Sequence, residues 1–427
     1  MIPLTHVCRY WRESIVSTPE NWASISSKSK SLAELSLERA KAAPLDIRLD
    51  MTQIKKTPGF SDLLAPHIQN TKTLRVDASA SAQEFARTLP NFPQSMPDLR
   101  SLSLSGRARG WDWSIDPFGP LTTLTHLSLA SVPLYPSFLR LRTLTDLNLN
   151  LHQFNLHLDT LLGFLEENRS LERVTLNIAF PEPSLRSSRR QVPIKNHLQN
   201  LTIISTRPMD ADVLMSGIAL RRGAHLAVVL YNRGAGSNDV LPIISMAHLS
   251  NLLSPTSMEY NPDFTTIRLL GPNGSFSFRA SGLEDLFAGF PPTHLANIRE
   301  FRYHGSSPWA PPVKPVVFPL PLPALETLVI EREDTALLHF SALFSNPSSS
   351  PSLKTLAFLD CTLNEGFMEE LAQFAFNRKN TTSAWLYRVV IVNSKGGLPS
   401  VVSIDELGKY VPIVDARIGK KLPTDLI

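Results

Sequence analysis

Cysteine is almost absent from this 427-residue chain: only Cys8 and Cys361 occur, too few for a disulfide framework. Charge is sparse too. Lys, Arg, Asp and Glu make up 19% of residues, below the roughly 25% of an average soluble protein, so the chain must fold to hide its apolar side chains. The net charge is only +4, and the one dense basic group, Leu185-Arg-Ser-Ser-Arg-Arg190, lies in a Pro/Ser-rich stretch. That placement points to a solvated loop and away from a nucleic-acid partner. No uninterrupted apolar run reaches the ~18 residues of a membrane span, and the start lacks a basic segment followed by an apolar one. The expected compartment is the cytoplasm or nucleus, with no membrane association.

Motifs for chemistry are missing as well. There is no Gly-x-x-x-x-Gly-Lys-Ser/Thr loop, no Gly-x-Ser-x-Gly elbow and no His-Glu-x-x-His. His304 and His339 have no second ligand at metal-binding spacing, and no histidine near Cys361 in sequence could activate it. Cys8 is expected on the core side of a helix. The reading is a non-enzyme with no catalytic residue, metal or cofactor. Asn168, Asn200, Asn273 and Asn380 each begin a glycosylation-like triplet, a match expected by chance in a chain without secretion.

Leucine is what the chain has in abundance, and its spacing repeats. Leu-x-x-Leu-x-Leu recurs as Leu99-Leu102-Leu104, Leu124-Leu127-Leu129 and Leu144-Leu147-Leu149, and in looser form as Leu171-Val174-Leu176, Leu198-Leu201-Ile203, Ile298-Phe301-Tyr303, Leu325-Leu328-Ile330 and Leu353-Leu356-Phe358. The last two apolar residues of each unit alternate as a short strand, and the first lies at the turn into it. Helical periods fall between them at Leu158 to Leu165, Leu283 to Phe290 and Phe367 to Ala375. Ser281-Gly-Leu-Glu284 and Ser403-Ile-Asp-Glu406 have the spacing of capping boxes that start helices. The pattern resembles leucine-rich repeats. The resemblance implies an α/β fold, an irregular leucine-rich-repeat solenoid with a parallel β inner wall and helices or irregular turns outside. The family's Asn or Cys three residues after the last strand leucine is found only at Cys361; Arg107, Val132, His152 and Ala179 stand at that position elsewhere.

Two stretches break the rhythm. Residues 223–280 form an irregular insert whose end, Ile267 to Arg279, reads as a β-hairpin around Asn273-Gly274. Residues 307–323 are too rich in proline for a central strand or a helix; they read as an extended connector, with an SH3-type ligand as the alternative.

At the start, Val7, Cys8, Trp11 and Ile15 share one face of a helix that Ser17-Thr-Pro19 stops, with Trp22 placed to pack back. Pro3-Leu4-Thr-His-Val-Cys-Arg-Tyr-Trp-Arg12 followed by Ser17-Thr-Pro-Glu-Asn-Trp22, together with Ser36-Leu-Glu-Arg-Ala-Lys-Ala-Ala-Pro-Leu-Asp-Ile-Arg-Leu49, is similar to the F-box-like domains of mushroom-forming fungi. Ser257-Met-Glu-Tyr-Asn-Pro262 and Tyr410-Val-Pro-Ile-Val-Asp-Ala-Arg-Ile-Gly-Lys420 extend the resemblance. It implies residues 1–26 as a partial F-box, residues 27–427 as the repeat domain, and Pro3, Leu4, Val7, Cys8, Trp11, Ile15 and Trp22 as the adaptor-binding fragment. The partners implied are a Skp-type adaptor, through it a cullin, and a protein substrate. The family's opening helix is expected before Ile2, and its absence is read either as a late start or as a lost adaptor function.

The repeat register exposes a candidate substrate face: Ser101, Ser103 and Ser105; His126 and Ser128; Asp146, Asn148 and Asn150; Arg173, Thr175 and Asn177; Asn200 and Thr202; Glu300, Arg302 and His304; Thr327 and Glu331. Three functions follow: substrate recognition for a cullin-type ubiquitin ligase; an adaptor-independent binding scaffold with a vestigial F-box; and an enzyme, for which no local constellation exists.

Overall fold

The computed structural model describes residues 9–78, 96–106, 121–151, 157–177, 179, 192–193, 198–205, 208–220, 222–230, 255–261, 266–272, 274–280, 295–305, 322–332, 350–381, 385–393 and 398–418. Contacts divide the chain into two units, Met1–Ser205 with Gly217–Arg221, and Thr206–Ser216 with Arg222–Ile427. Both are α/β and mostly parallel.

In the first unit, α1 (Arg9–Ser17) gives way to a 3-10 turn, Pro19–Trp22. The short strand β1 (Ser24–Ser26) follows, then α2 (Lys30–Ala40), whose cap Ser29 accepts the Leu32 amide. Next come β2 (Leu45–Asp50), α3 (Met51–Lys56), α4 (Phe60–Leu64) and β3 (Thr71–Ala78). The recurring units supply β4 (Ser101–Gly106), β5 (His126–Ala130), α5 (Pro136–Leu139), β6 (Asp146–Asn150), α6 (Leu158–Glu167) and β7 (Arg173–Asn177). The two-residue strand β8 (Val192–Pro193) and β9 (Asn200–Ser205) complete the run, and β8 pairs with β10 (Ile218–Ala219).

Strands β1 to β7 and then β9 are parallel neighbours in sequence order. The register aligns equivalent residues. Leu102, Leu127, Leu147, Val174 and Leu201 form one inward column, and Leu104, Leu129, Leu149, Leu176 and Ile203 the next. Every one is at most 2% exposed, a burial that contributes roughly 1.5–3 kcal/mol per side chain before entropy is subtracted.

The first leucine of each motif closes a turn. The amides of Leu99, Leu124 and Leu171 donate to the carbonyls of Met96, Leu121 and Asn168, so the chain completes a bend two residues before each strand start. From there one carbonyl serves two amides of the next unit: Arg100 O accepts from Thr125 and His126, Thr125 O from Thr145 and Asp146, Thr145 O from Glu172 and Arg173. Past the strands, the Ser131 and Leu151 amides donate to Asn150 O and Asn177 O, and Ser131 takes a left-handed conformation (φ 55°) to make the exit.

The second unit contains α7 (Pro208–Gly217), which ends where the first unit resumes, then β11 (His225–Leu230), β12 (Ser257–Asn261), β13 (Thr266–Gly271) and β14 (Gly274–Ala280). These are followed by β15 (Glu300–His304), β16 (Thr327–Glu331), β17 (Thr355–Leu359), α8 (Glu365–Thr381), β18 (Arg388–Asn393), α9 (Val401–Gly408) and β19 (Ile413–Ile418). Adjacency runs β11, β14, β13, β12, β15, β16, β17, β18, β19; β13 alone is antiparallel to its neighbours. The same turn recurs at Leu295, Leu322 and Ser350, and the same left-handed exit at Arg332 and Asp360.

Several expectations are met and two are corrected. Helices occur at 158–165 and 367–375, and a hairpin lies within 267–279. The hairpin closes at the Gly271–Gly274 pair, so Gly274 belongs to a strand and not to the turn expected at Asn273-Gly274. The last helix is capped by Ser400, whose Oγ accepts the Ser403 amide at 3.2 Å, so Ser403 lies inside the first turn. Ser400 wins because it sits in extended backbone, where a cap must be. The expected helix at 283–290, its cap Ser281 and most of the 307–323 stretch lie outside the described residues. No described helix is long and apolar enough to cross a membrane.

Candidate recognition face

Because side chains alternate across a strand, the columns of buried leucines fix what points the other way. On the first unit three outward rows result. One reads Thr73, Ser101, His126, Asp146, Arg173, Asn200; the second Arg75, Ser103, Ser128, Asn148, Thr175, Thr202; the third Asp77, Ser105, Ala130, Asn150, Asn177, Ile204. Beyond β3 the second and third rows carry no charge and no aromatic ring, only hydroxyls, carboxamides and small or aliphatic groups.

Charge on this face concentrates in the first row. Asp146 lies between His126 and Arg173: His126 Nε2 is 3.0 Å from its Oδ2, and Arg173 places one guanidinium nitrogen 2.8 Å from the same oxygen while its Nε reaches Oδ1. Thr125 Oγ1 is 2.7 Å from His126 Nδ1, and Thr145 Oγ1 donates to Asp146. The Asp146 hydrogen bond and charge raise the Arg173 pKa above its ordinary value. Within this row the Arg173 and Asp146 charges satisfy one another. The signal for the trio was present in the sequence, since all three residues occupy one repeat position.

In the second unit the candidate residues gather differently. Glu331 receives His304 Nδ1 at 2.8 Å and lies 3.8 Å from Arg302 Nε; Arg302 also reaches Glu300 at 3.5 Å, and Arg268 reaches Glu259 at 3.5 Å. Burial works to raise the Glu331 pKa, but the His304 hydrogen bond and the charges of His304, Arg302 and Arg332 outweigh it and hold the carboxyl below its ordinary 4.5. On the inner side, burial pushes the Tyr260 hydroxyl up to about 12.

Beyond Arg302 the middle row of the face turns apolar, although Thr327 and Glu331 on either side of it are partly exposed. Between Thr327 and Glu331 stands Val329, which packs with Ala357, Val390 and Val392 in a buried cluster joined by Leu359. These side chains point opposite to the leucine columns yet are at most 3% exposed. The runs Leu328-Val-Ile330 and Val389-Val-Ile-Val392 lack alternation because both of their faces are buried.

Of the residues implied as adaptor-binding, Pro3, Leu4, Val7 and Cys8 lie outside the described residues and Trp11 falls in α1. Ile15 and Trp22 are buried. Trp22 does pack back: its Nε1 donates to the Ile15 carbonyl at 2.8 Å, and the Arg39 guanidinium covers its ring at 4.3 Å. Cys361 is buried with Sγ 3.4 Å from Ile330 O, tying one exit turn to the preceding strand. Among the described residues no group of three His, Cys, Asp or Glu is placed to hold a metal.

No protein-family model matches the chain, and no curated protein matches it significantly. Among solved structures, a protein from Bacteroides fragilis aligns over 87% of this chain and 71% of its own at 13% identity, with a TM-score of 0.20. An overlap that small carries no argument about fold or function.

Proposed function

We propose that the chain is a leucine-rich-repeat-like solenoid that recognises a protein substrate for a Skp/cullin/F-box-type ubiquitin ligase, leaving ubiquitin transfer to a separate enzyme. The reading rests on one observation above others. The outward rows of β4 to β7 and β9 present a largely polar surface whose positions are fixed by buried leucines behind them, beside a segment that resembles an F-box. Such a surface suits recognition, because its side chains are held by the strands and are spared from the core.

A second reading, an adaptor-independent scaffold, has its own support. Trp22 is 3% exposed and β1 pairs with β2 in register from Ser24 opposite Asp46 to Ser26 opposite Arg48. On this reading the F-box-like fragment acts as a cap on the first unit's sheet.

Titrating the purified chain with a Skp-type adaptor, beside a version extended by upstream coding sequence, separates the two. Binding by either form supports the ligase reading. No binding by either form rejects it and leaves the scaffold.

A further inference from the structure

We infer that β19 is a homodimer interface, where two copies of this chain join their sheets by antiparallel pairing centred on Ala416. Among the described strands of its unit, β19 pairs with β18 alone. Its two ends expose large apolar side chains, Ile413 at 37% and Ile418 at 71%. An edge of this kind is a template for another strand.

The hydrogen-bond pattern limits how a second copy can pair. The Ile413 amide donates to Tyr387 O, toward β18. By alternation Asp415 and Arg417 also direct their main-chain groups to β18, and Val414, Ala416 and Ile418 direct theirs to the open side. An antiparallel partner must set open-side residues against open-side residues, so a twofold axis passes through a residue and never between two.

Charge then selects the residue. Centring on Asp415 or on Arg417 sets like charges face to face, which destabilises a pair. Centring on Ala416 sets Asp415 against Arg417 of the second copy, twice, at the non-hydrogen-bonded positions where side chains approach most closely. The same register sets Val414 against Ile418 on the other side, so each face of the joint is matched in kind. Within one chain Asp415 is 3.2 Å from Arg417 and 3.8 Å from Arg388, so these groups already point to the face where the second copy's charges would lie. The interface is isologous, as in most homodimers.

Sedimentation velocity on the full chain over a concentration series tests the inference, with circular dichroism to verify folding. A dimer is expected. Asp415→Arg and Arg417→Asp should each raise its dissociation constant roughly tenfold or more, and an equimolar mixture of the two variants should dimerise again, because each supplies the charge the other lacks. Ala416→Pro, which removes an open-side amide and leaves the bonds to β18, should yield monomer. A wild-type chain that stays monomeric, or a dimer indifferent to both reversals, would overturn the inference.

Discussion

Arg378 shows how far a residue's role can depart from its type. It is fully buried in α8, with Nη1 donating to Ser350 O at 2.9 Å and Nη2 to Pro351 O at 3.1 Å and Leu353 O at 2.9 Å. Burial lowers its pKa below the ordinary arginine value, and the three carbonyls stand in for solvent. The apolar helical period ends at Ala375, so sequence pattern alone assigns Arg378 to an exposed last turn. The turn at 350–353, distant in sequence, supplies carbonyls that make the buried position tolerable. Arg378→Met should cost about 2–4 kcal/mol, since the carbonyls lose their donors. Urea unfolding of the two proteins measures this, and Arg378→Lys should recover only part, because one ammonium cannot match the guanidinium's fork.

At the scale of elements, legibility followed alternation. Strands β4 to β7 were readable because leucines alternate with polar residues, and β18 escaped because Val389 to Val392 is apolar on both sides. Strand β1 was too short to show any period, and the missed β11 and β12 lie in the stretch read as an irregular insert. The hairpin was found from its flanking runs, but its turn needed the register. Gly274 closes that turn at φ +134°, and a Cβ there would lie 2.4 Å from Ala224 O. Both the conformation and the clash oppose any side chain. Gly274→Ala should therefore destabilise the protein by at least about 2 kcal/mol, seen as a lowered thermal midpoint.

Across the whole molecule, the same strand position has two different environments. Asn148 and Ala357 are both middle outward residues of parallel strands, yet Asn148 is exposed and Ala357 is fully buried beside Val329 and Val390. Asn148→Asp should change stability by no more than about 0.5 kcal/mol, as surface substitutions usually do. Ala357→Asp buries an unpaired carboxylate and should cost more than about 3 kcal/mol. Equal effects in denaturant titrations would contradict the assignment of faces. The candidate face was legible in the sequence where the strands are half-exposed and illegible where a second covering lies over them, because a repeat register gives the direction of a side chain but not what stands above it.

The carbonyls at the strand starts, each accepting two amides of the next unit, carry one more consequence. The step from unit to unit is written in the main chain, so no outward side chain is needed to keep its neighbours in place. Substitutions on that surface can accumulate one at a time, each changing the chemistry of the outward face while the framework that displays it stays the same.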